Sequence, residues 1–148
     1  MTEKENLIAK IVDKIESIKM SKKTSAARRE DGQGGSFVLS YLYYNGGQAL
    51  PTTLGKMMDV SSPRITAILN ELEERGLISR SISKIDRRNI DINLSPRGIE
   101  LIEKKRQKQR ERTTLLVNHL TVEDAQAFLR ILGVIETTLA KDEDFFVL

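Results

Sequence analysis

The feature that most constrains the fold is a change of hydrophobic period near the middle of the chain. Apolar residues between positions 65 and 72 follow the i, i+3, i+4, i+7 spacing of an amphipathic helix, and Gly76 then favours a left-handed cap. In residues 78–83 and again in residues 90–94 the period is two, which is typical of strands. The charged residues 84–89 lie between these two segments. The pattern predicts a helix followed by a two-stranded hairpin.

A second short helix is predicted just before the first. Residues 53–58 suit a short helix capped by Thr52 or Thr53, and Val60 closes a tight turn. Ser61 or Ser62 then caps the next helix, where a proline in the first turn loses no needed hydrogen bond. Two short helices joined by a tight turn and followed by a hairpin indicate a winged helix-turn-helix.

The flanking segments are predicted to be mostly helical. Residues 3–20 carry an amphipathic stripe, residues 37–45 follow Ser36 as a cap, and residues 48–50 can form a very short extended piece. Residues 96–118 form a long charged helix, and Thr121 with Asp124 starts the last one. The expected fold class is mainly α with a small β-hairpin wing (α+β). The length of 148 residues predicts one hydrophobic core.

Composition excludes several kinds of chemistry. The chain has no cysteine and one histidine, His119, so thiolate chemistry is excluded and a histidine-rich zinc centre is not expected. Its apolar runs are only a few residues long, and the first residues do not form a secretory signal. We expect a soluble cytoplasmic protein without a metal, a cofactor or a membrane partner.

Charge is distributed unevenly although the net charge is only +3. Residues 19–29 hold five basic residues and no acid, and residues 104–112 hold six basic residues and one acid. Such clusters favour a nucleic acid as partner over a membrane. The alternative is that they are solvated helix faces.

The helix that follows Ser61 has an outward face suited to reading base edges. This face presents Pro63, Ala67 and Asn70, flanked by Arg64 and Thr66. Arginine can bond guanine bidentately, asparagine can pair with adenine, and alanine can touch a thymine methyl group. Taken alone, an ordinary solvated helix face explains the same residues.

The loop of the hairpin contains a second candidate contact. A narrow minor groove attracts inserted arginine, and the loop carries Arg87 and Arg88. The adjacent Asp86 can hold one guanidinium in position through a bidentate pair. The loop shows no apolar face worth burying, and a solvated turn is the alternative.

The ordered set of these segments resembles the MarR family of transcription regulators over residues 37–101. The resemblance is carried by the segments LGKMMDV (54–60), SSPRIT (61–66), LEERGLI (72–78), DRR (86–88) and LSPRG (94–98). It implies a winged-helix homodimer that binds double-stranded DNA at a pseudo-palindromic operator. Such proteins usually repress, and a small phenolic or other anionic effector often releases them.

The resemblance also implies a role for each segment and residue. Residues 1–35 and 99–148 would form the dimerisation part, and residues 36–98 the DNA-binding domain. Arg87 and Arg88 would enter the minor groove. Two positions depart from the family, namely Ala67, where arginine is common, and Gly55, where alanine is usual and glycine costs about 1 kcal/mol. The residues that would read bases are Ser62, Pro63, Arg64, Thr66 and Ala67, with Asn70 as an addition.

Two other classes of protein are the alternatives. An enzyme is disfavoured because residues 32–35 lack the spacing of a phosphate loop and His119 has no evident nucleophile partner. A winged helix used only for protein contacts would be expected to expose apolar anchors. The arginines at positions 64, 87 and 88 favour nucleic acid instead.

Overall fold

The computed structural model describes residues 1–20 and 34–142. Most of the basic segment 19–29 and the apolar end at residues 145–148 therefore lie outside the described residues. The described chain is mainly helical with one small antiparallel sheet, which confirms the expected fold class. Its elements are α1 (Glu3–Lys19), α2 (Gly34–Tyr44), β1 (Gln48–Ala49), α3 (Pro51–Met58), α4 (Ser62–Glu74), β2 (Ile78–Ile82), β3 (Ile90–Leu94), α5 (Pro96–Asn118) and α6 (Val122–Lys141).

Side-chain caps define the starts of three helices. Thr2 forms a capping box with Glu5 at α1, Ser61 caps α4, and Thr121 accepts a hydrogen bond from the Asp124 amide at α6. These hydroxyls satisfy backbone donors that a first helical turn leaves unpaired. The predicted cap residues at α4 and α6 are confirmed.

The predicted start of α2 is three residues too late, and that of α3 is two residues too late. Helix α3 begins at Pro51 after Leu50, which makes no side-chain cap, so neither Thr52 nor Thr53 is a cap. Proline at the first helical position has a preset φ and lacks only an amide that would be unpaired anyway, so the helix starts without a polar cap. Ser36 lies inside α2, which spans Gly34–Tyr44.

The sheet has the order β1-β3-β2, with every pair antiparallel. Strands β2 and β3 form the predicted hairpin, with Ile78 opposite Leu94 and Ile82 opposite Ile90. The short extended piece at Gln48 pairs with Asn93 and adds a third strand. Gly76 has φ +73°, as its position after α4 predicts. We call β2, β3 and the loop between them the wing.

The described chain forms two compact units, so the expectation of one hydrophobic core is wrong. Among the described residues, the first unit comprises residues 1–20 and 105–142, and the second comprises residues 34–104. Residues 103–112 of α5 carry no apolar side chain, so this stretch of the helix offers no stripe around which one continuous core can form.

Each unit has its own buried side chains. In the first unit, α1 packs against α6, and the cluster includes Leu7, Ile11, Val117, Ala125 and Leu132. In the second unit, the three helices α2, α3 and α4 pack together and against the sheet. Its most buried side chains include Phe37, Leu42, Leu54, Met58, Leu69, Leu72 and Ile92. In the described ranges, no helix has the length and apolarity needed to cross a membrane.

Candidate nucleic-acid interface

Helix α4 presents the predicted base-reading residues because its opposite side is buried. Ile65, Ile68, Leu69 and Leu72 are each at most 6% exposed and anchor the helix in the second unit. The Ser61 hydroxyl accepts the amide of Arg64 at 3.3 Å and fixes the first turn. The side chains on the other side are exposed, and they are those of Ser62, Pro63, Arg64, Thr66, Ala67 and Asn70.

Asn70 has a partner within the chain that sequence reasoning missed. Its Oδ1 accepts a hydrogen bond from Arg80 Nη2 at 2.9 Å, and Arg80 Nη1 donates to Glu73 Oε1 at 2.6 Å. Arg80 belongs to β2, so one guanidinium joins the wing to two residues on neighbouring turns of α4. The sequence carries one signal for this contact. In the alternation of β2, Arg80 occupies a position on the same face as Ile78 and Ile82. Asn70 retains its amide donors for another partner.

At the wing tip, Asp86 holds Arg88 and not Arg87. The Arg88 guanidinium donates from Nε to Asp86 Oδ1 at 3.1 Å and from Nη2 to Oδ2 at 2.9 Å. The Arg88 amide also donates to Oδ1 at 3.0 Å. These bonds favour the charged forms, so they lower the pKa of Asp86 and raise the pKa of Arg88. The bidentate geometry predicted as an option is therefore present for one arginine.

Ser83 shapes the loop that carries these residues, a role that sequence reasoning missed. It is only 6% exposed, and its hydroxyl accepts the amides of Ile85 at 3.2 Å and Asp86 at 3.3 Å. Its own amide donates to the carbonyl of Asn89 at 3.0 Å. A serine that accepts amides two and three residues ahead forms a known turn motif. The sequence signal for this turn is the position of Ser83 at the end of the alternating residues 78–83.

Arg87 is exposed at the same tip. In residues 1–20 and 34–142, no carboxylate forms an ion pair with it, whereas Arg88 is paired although its side chain is 89% exposed. The tip therefore combines one oriented guanidinium with one that is free of a carboxylate within the described chain.

The wing also exposes apolar side chains, which sequence reasoning did not single out. Ile85 is 100% exposed, Ile82 67% and Ile90 49%. Ile78 at the start of β2 is only 3% exposed, so the exposure rises along the strand towards the tip of the wing. The exposed isoleucines are the kind of apolar anchor that a wing used for protein contacts would be expected to expose.

Three further features of the described chain are candidates for a binding role. His119 is exposed just after the end of α5, and the basic residues 104–112 lie on α5. Within the described ranges, no cluster of three or more acidic or histidine side chains could hold a metal ion. A surface depression of about 470 Å³ lies between α3 and α4. Its lining carries one base, Lys56, and one acid, Asp59, together with Gly55, Val60, Ser62 and Thr66.

Comparison with known proteins agrees with this geometry. The family model described as the MarR family matches residues 36–90, from α2 to the start of β3. The uncharacterized HTH-type transcriptional regulator YwhA of Bacillus subtilis is 31% identical over 97 residues, which is 66% of this chain and 69% of the relative.

Solved structures share the fold. MepR, a transcription regulator of the Staphylococcus aureus multidrug efflux pump MepA, matches with a TM-score of 0.60 and 23% identity over 80% of this chain and 90% of that one. A single-residue mutant of S. aureus MepR bound to an oligodeoxyribonucleotide matches with a TM-score of 0.55 and 24% identity, covering 80% and 89% of the two chains. The matched proteins are transcription regulators rather than enzymes. The chain belongs to the MarR family of DNA-binding transcription regulators.

Proposed function

We propose that the chain is a homodimeric repressor that binds a pseudo-palindromic operator. In this proposal α4 enters the major groove, and an arginine of the wing enters the adjacent minor groove. The observation that carries it is the exposed face of α4 beside an arginine-bearing wing, with Arg80 joining the two. A helix fits the major groove of B-DNA, and a projecting loop can reach the neighbouring groove.

The exposed face of α4 supports base reading. Most of its side chains are short, so the helix backbone can approach base edges closely, and Arg64 supplies bidentate chemistry for guanine. Asn70 can still donate from its amide to a purine N7 while Arg80 bonds its oxygen. We assign base contacts to Arg64, Thr66 and Ala67, and contacts at the start of the helix to Ser62 and Pro63.

The geometry at the tip of the wing supports a minor-groove role for Arg88. Asp86 binds Nε and one Nη2 donor, which leaves Nη1 and the outer edge of the guanidinium for DNA. An oriented arginine loses less side-chain entropy when it enters a narrow groove. We assign Arg87 to a backbone phosphate because no carboxylate in residues 1–20 and 34–142 pairs with it.

Exposed apolar side chains of the first unit support dimerisation through residues 1–35 and 99–148. Helix α5 exposes Leu115 and Leu116, and α6 exposes Ile131 and Val134, each by 47–67%. Pairing with a second copy of the chain would remove these apolar side chains from water. A symmetric dimer presents two copies of α4 to two half-sites.

We extend the proposal to release of the DNA by a small anionic effector. The depression between α3 and α4 is of the size of small-molecule sites. Its lining carries one base, Lys56, which can pair with an anionic group, and one acid, Asp59. Ser62 and Thr66 line it as well, so a ligand there would compete with the proposed base contacts. Salicylate is a suitable probe, and unchanged DNA affinity at millimolar salicylate would count against an effector of this class.

The proposed function is tested with single variants on a duplex that the wild-type chain selects from a random pool. Arg64→Ala should relax the preference at one base pair by about 1–3 kcal/mol. Arg88→Ala should weaken binding and remove a preference for A·T-rich DNA under the wing. Lys141→Ala removes one charge from the other compact unit and serves as the control. Equal losses on all sequences for Arg64→Ala would refute its role as a base reader.

A further inference from the structure

We propose that Ile82, Ile85 and Ile90 form an apolar contact surface for the deoxyribose edge of the DNA beside the wing. We call these three residues the isoleucine surface. This inference rests on the proposed function and adds to it a contact that carries no charge. It explains why a wing with two arginines in its loop also exposes three large aliphatic side chains.

Strand register places two of the isoleucines on the sheet face that meets α4. Residues two apart on a strand share a face, so Ile82 lies on the same face as Arg80, which reaches Asn70 on α4. Ile90 is the direct partner of Ile82 across the hairpin and shares that face. Ile85 stands in the loop between them. The isoleucine surface therefore continues the face that carries the proposed recognition helix.

Charge around the isoleucine surface favours DNA over a protein partner. Lys84, Arg87 and Arg88 flank it, and Asp86 is the one acid in residues 84–89 and is paired with Arg88. The nearest other acid along the chain, Asp91, lies on the opposite face of the hairpin, where it accepts a hydrogen bond from Gln48 at 3.1 Å. A polyanion with apolar faces between its charges complements this surface.

DNA offers such apolar faces along each strand. The carbons of deoxyribose line the walls of the minor groove between successive phosphates, and isoleucine is among the residues that proteins place in that groove. An isoleucine contact with sugar carbons releases no counterions, so its contribution is independent of salt. The arginine contacts, in contrast, weaken as salt rises. This difference separates the two kinds of contact in one experiment.

The test measures the affinity of the full chain for its selected duplex of about 30 base pairs, long enough for two half-sites one turn apart. Affinity is read over a range of salt for wild type, Ile85→Ser, Ile85→Leu and Arg87→Ala. Because Ile85 is fully exposed, neither change at this position should lower the melting temperature. Ile90→Thr keeps the β-branched side chain of a strand residue and provides a second probe.

We expect Ile85→Ser to weaken binding roughly tenfold at every salt concentration, because burying much of an isoleucine is worth about one decade in affinity. The slope of log K against log salt should stay that of wild type. Ile85→Leu should restore the affinity, and Arg87→Ala should make the slope shallower.

Three results would overturn the inference, and they are distinguishable. If wild type binds the duplex and Ile85→Ser binds equally well, the isoleucine surface does not contact DNA and a protein partner becomes the explanation of its exposure. If Ile85→Ser changes the slope of log K against log salt, the variant weakens binding by displacing the arginines, and Ile85 makes no direct contact with DNA. If wild type selects no DNA at all, the proposed function falls together with the inference.

Discussion

Replacing Gly55 by alanine should stabilise the second compact unit. Gly55 lies inside α3 and is buried, and glycine is unfavourable in a helix relative to alanine. A Cβ placed there would meet Ile65 Cγ2 at 3.7 Å and the carbonyl oxygen of Val60 at 3.8 Å. Both distances are ordinary van der Waals contacts, so the methyl group fits without movement of the neighbours.

The expected gain follows from two terms. Helix propensity contributes about 1 kcal/mol. Burial of one methyl group against Ile65 adds at most about 0.8 kcal/mol. The free energy of unfolding should therefore rise by about 1–2 kcal/mol. For domains of this size, each kcal/mol raises the melting temperature by roughly 2–8 °C.

Gly98→Ala is the matched control because Gly98 is also a helical glycine. Its Cβ would overlap the carbonyl oxygen of Leu77 and come within 2.6 Å of Leu94 Cδ1. The same gain in helix propensity is therefore outweighed by a clash with backbone, and the variant should be destabilised.

Chemical denaturation followed by circular dichroism measures both changes. The midpoint for Gly55→Ala should rise at an unchanged m-value, and that for Gly98→Ala should fall. A loss of stability in Gly55→Ala, or a shift of both variants in the same direction, would refute the reasoning.

Three further predictions concern polar contacts. Asp86→Asn should weaken DNA binding without changing the melting temperature, because it releases the Arg88 guanidinium. Fluorescence anisotropy measures the affinity and thermal unfolding measures the stability. Unchanged affinity would contradict the orienting role of Asp86. Arg80→Met should cost roughly 0–1 kcal/mol of stability. It should weaken DNA binding by more than that, because it removes the hydrogen bonds that join the wing to Asn70 and Glu73 of α4. Losses of equal size in stability and in binding would show a structural role alone. Glu136→Gln should destabilise the chain at neutral pH, and its difference from wild type should shrink as the pH falls below about 4.5, as pH-dependent denaturation would measure. The hydrogen bond from Ser17 lowers the pKa of Glu136 in the folded chain. The stabilisation by the Glu136 carboxylate is therefore present above the unfolded pKa and is lost as the pH falls through the folded pKa. A difference between variant and wild type that is constant with pH would refute this role of Glu136.

The fold was predictable where local signals agreed. Helix α4 has a serine cap, a proline in its first turn, an apolar stripe and a closing Gly76, and its bounds follow from them. The hairpin followed from the period of two. At α3, threonine caps were expected by propensity, but the preset φ of Pro51 allows an earlier start.

The candidate site was predictable in its residues but not in its pairings. Sequence places Asp86 beside two arginines, and only the loop geometry shows that the carboxylate faces Arg88. The contact between Arg80 and Asn70 joins two elements, so no local pattern announces it. Ile78 and Ile82 hold equivalent positions in the alternation, yet one is 3% exposed and the other 67%, which is a tertiary property.

The central claim is that a symmetric pair of α4 helices and wings reads one operator. It is tested most directly by selecting bound sequences from a random DNA pool with the full chain at two salt concentrations. We predict a two-fold symmetric sequence whose half-sites are centred about 10 base pairs apart, with A·T-rich DNA where the wings lie. Recovery of a single, non-symmetric half-site, or of no enriched sequence at either salt, would contradict it.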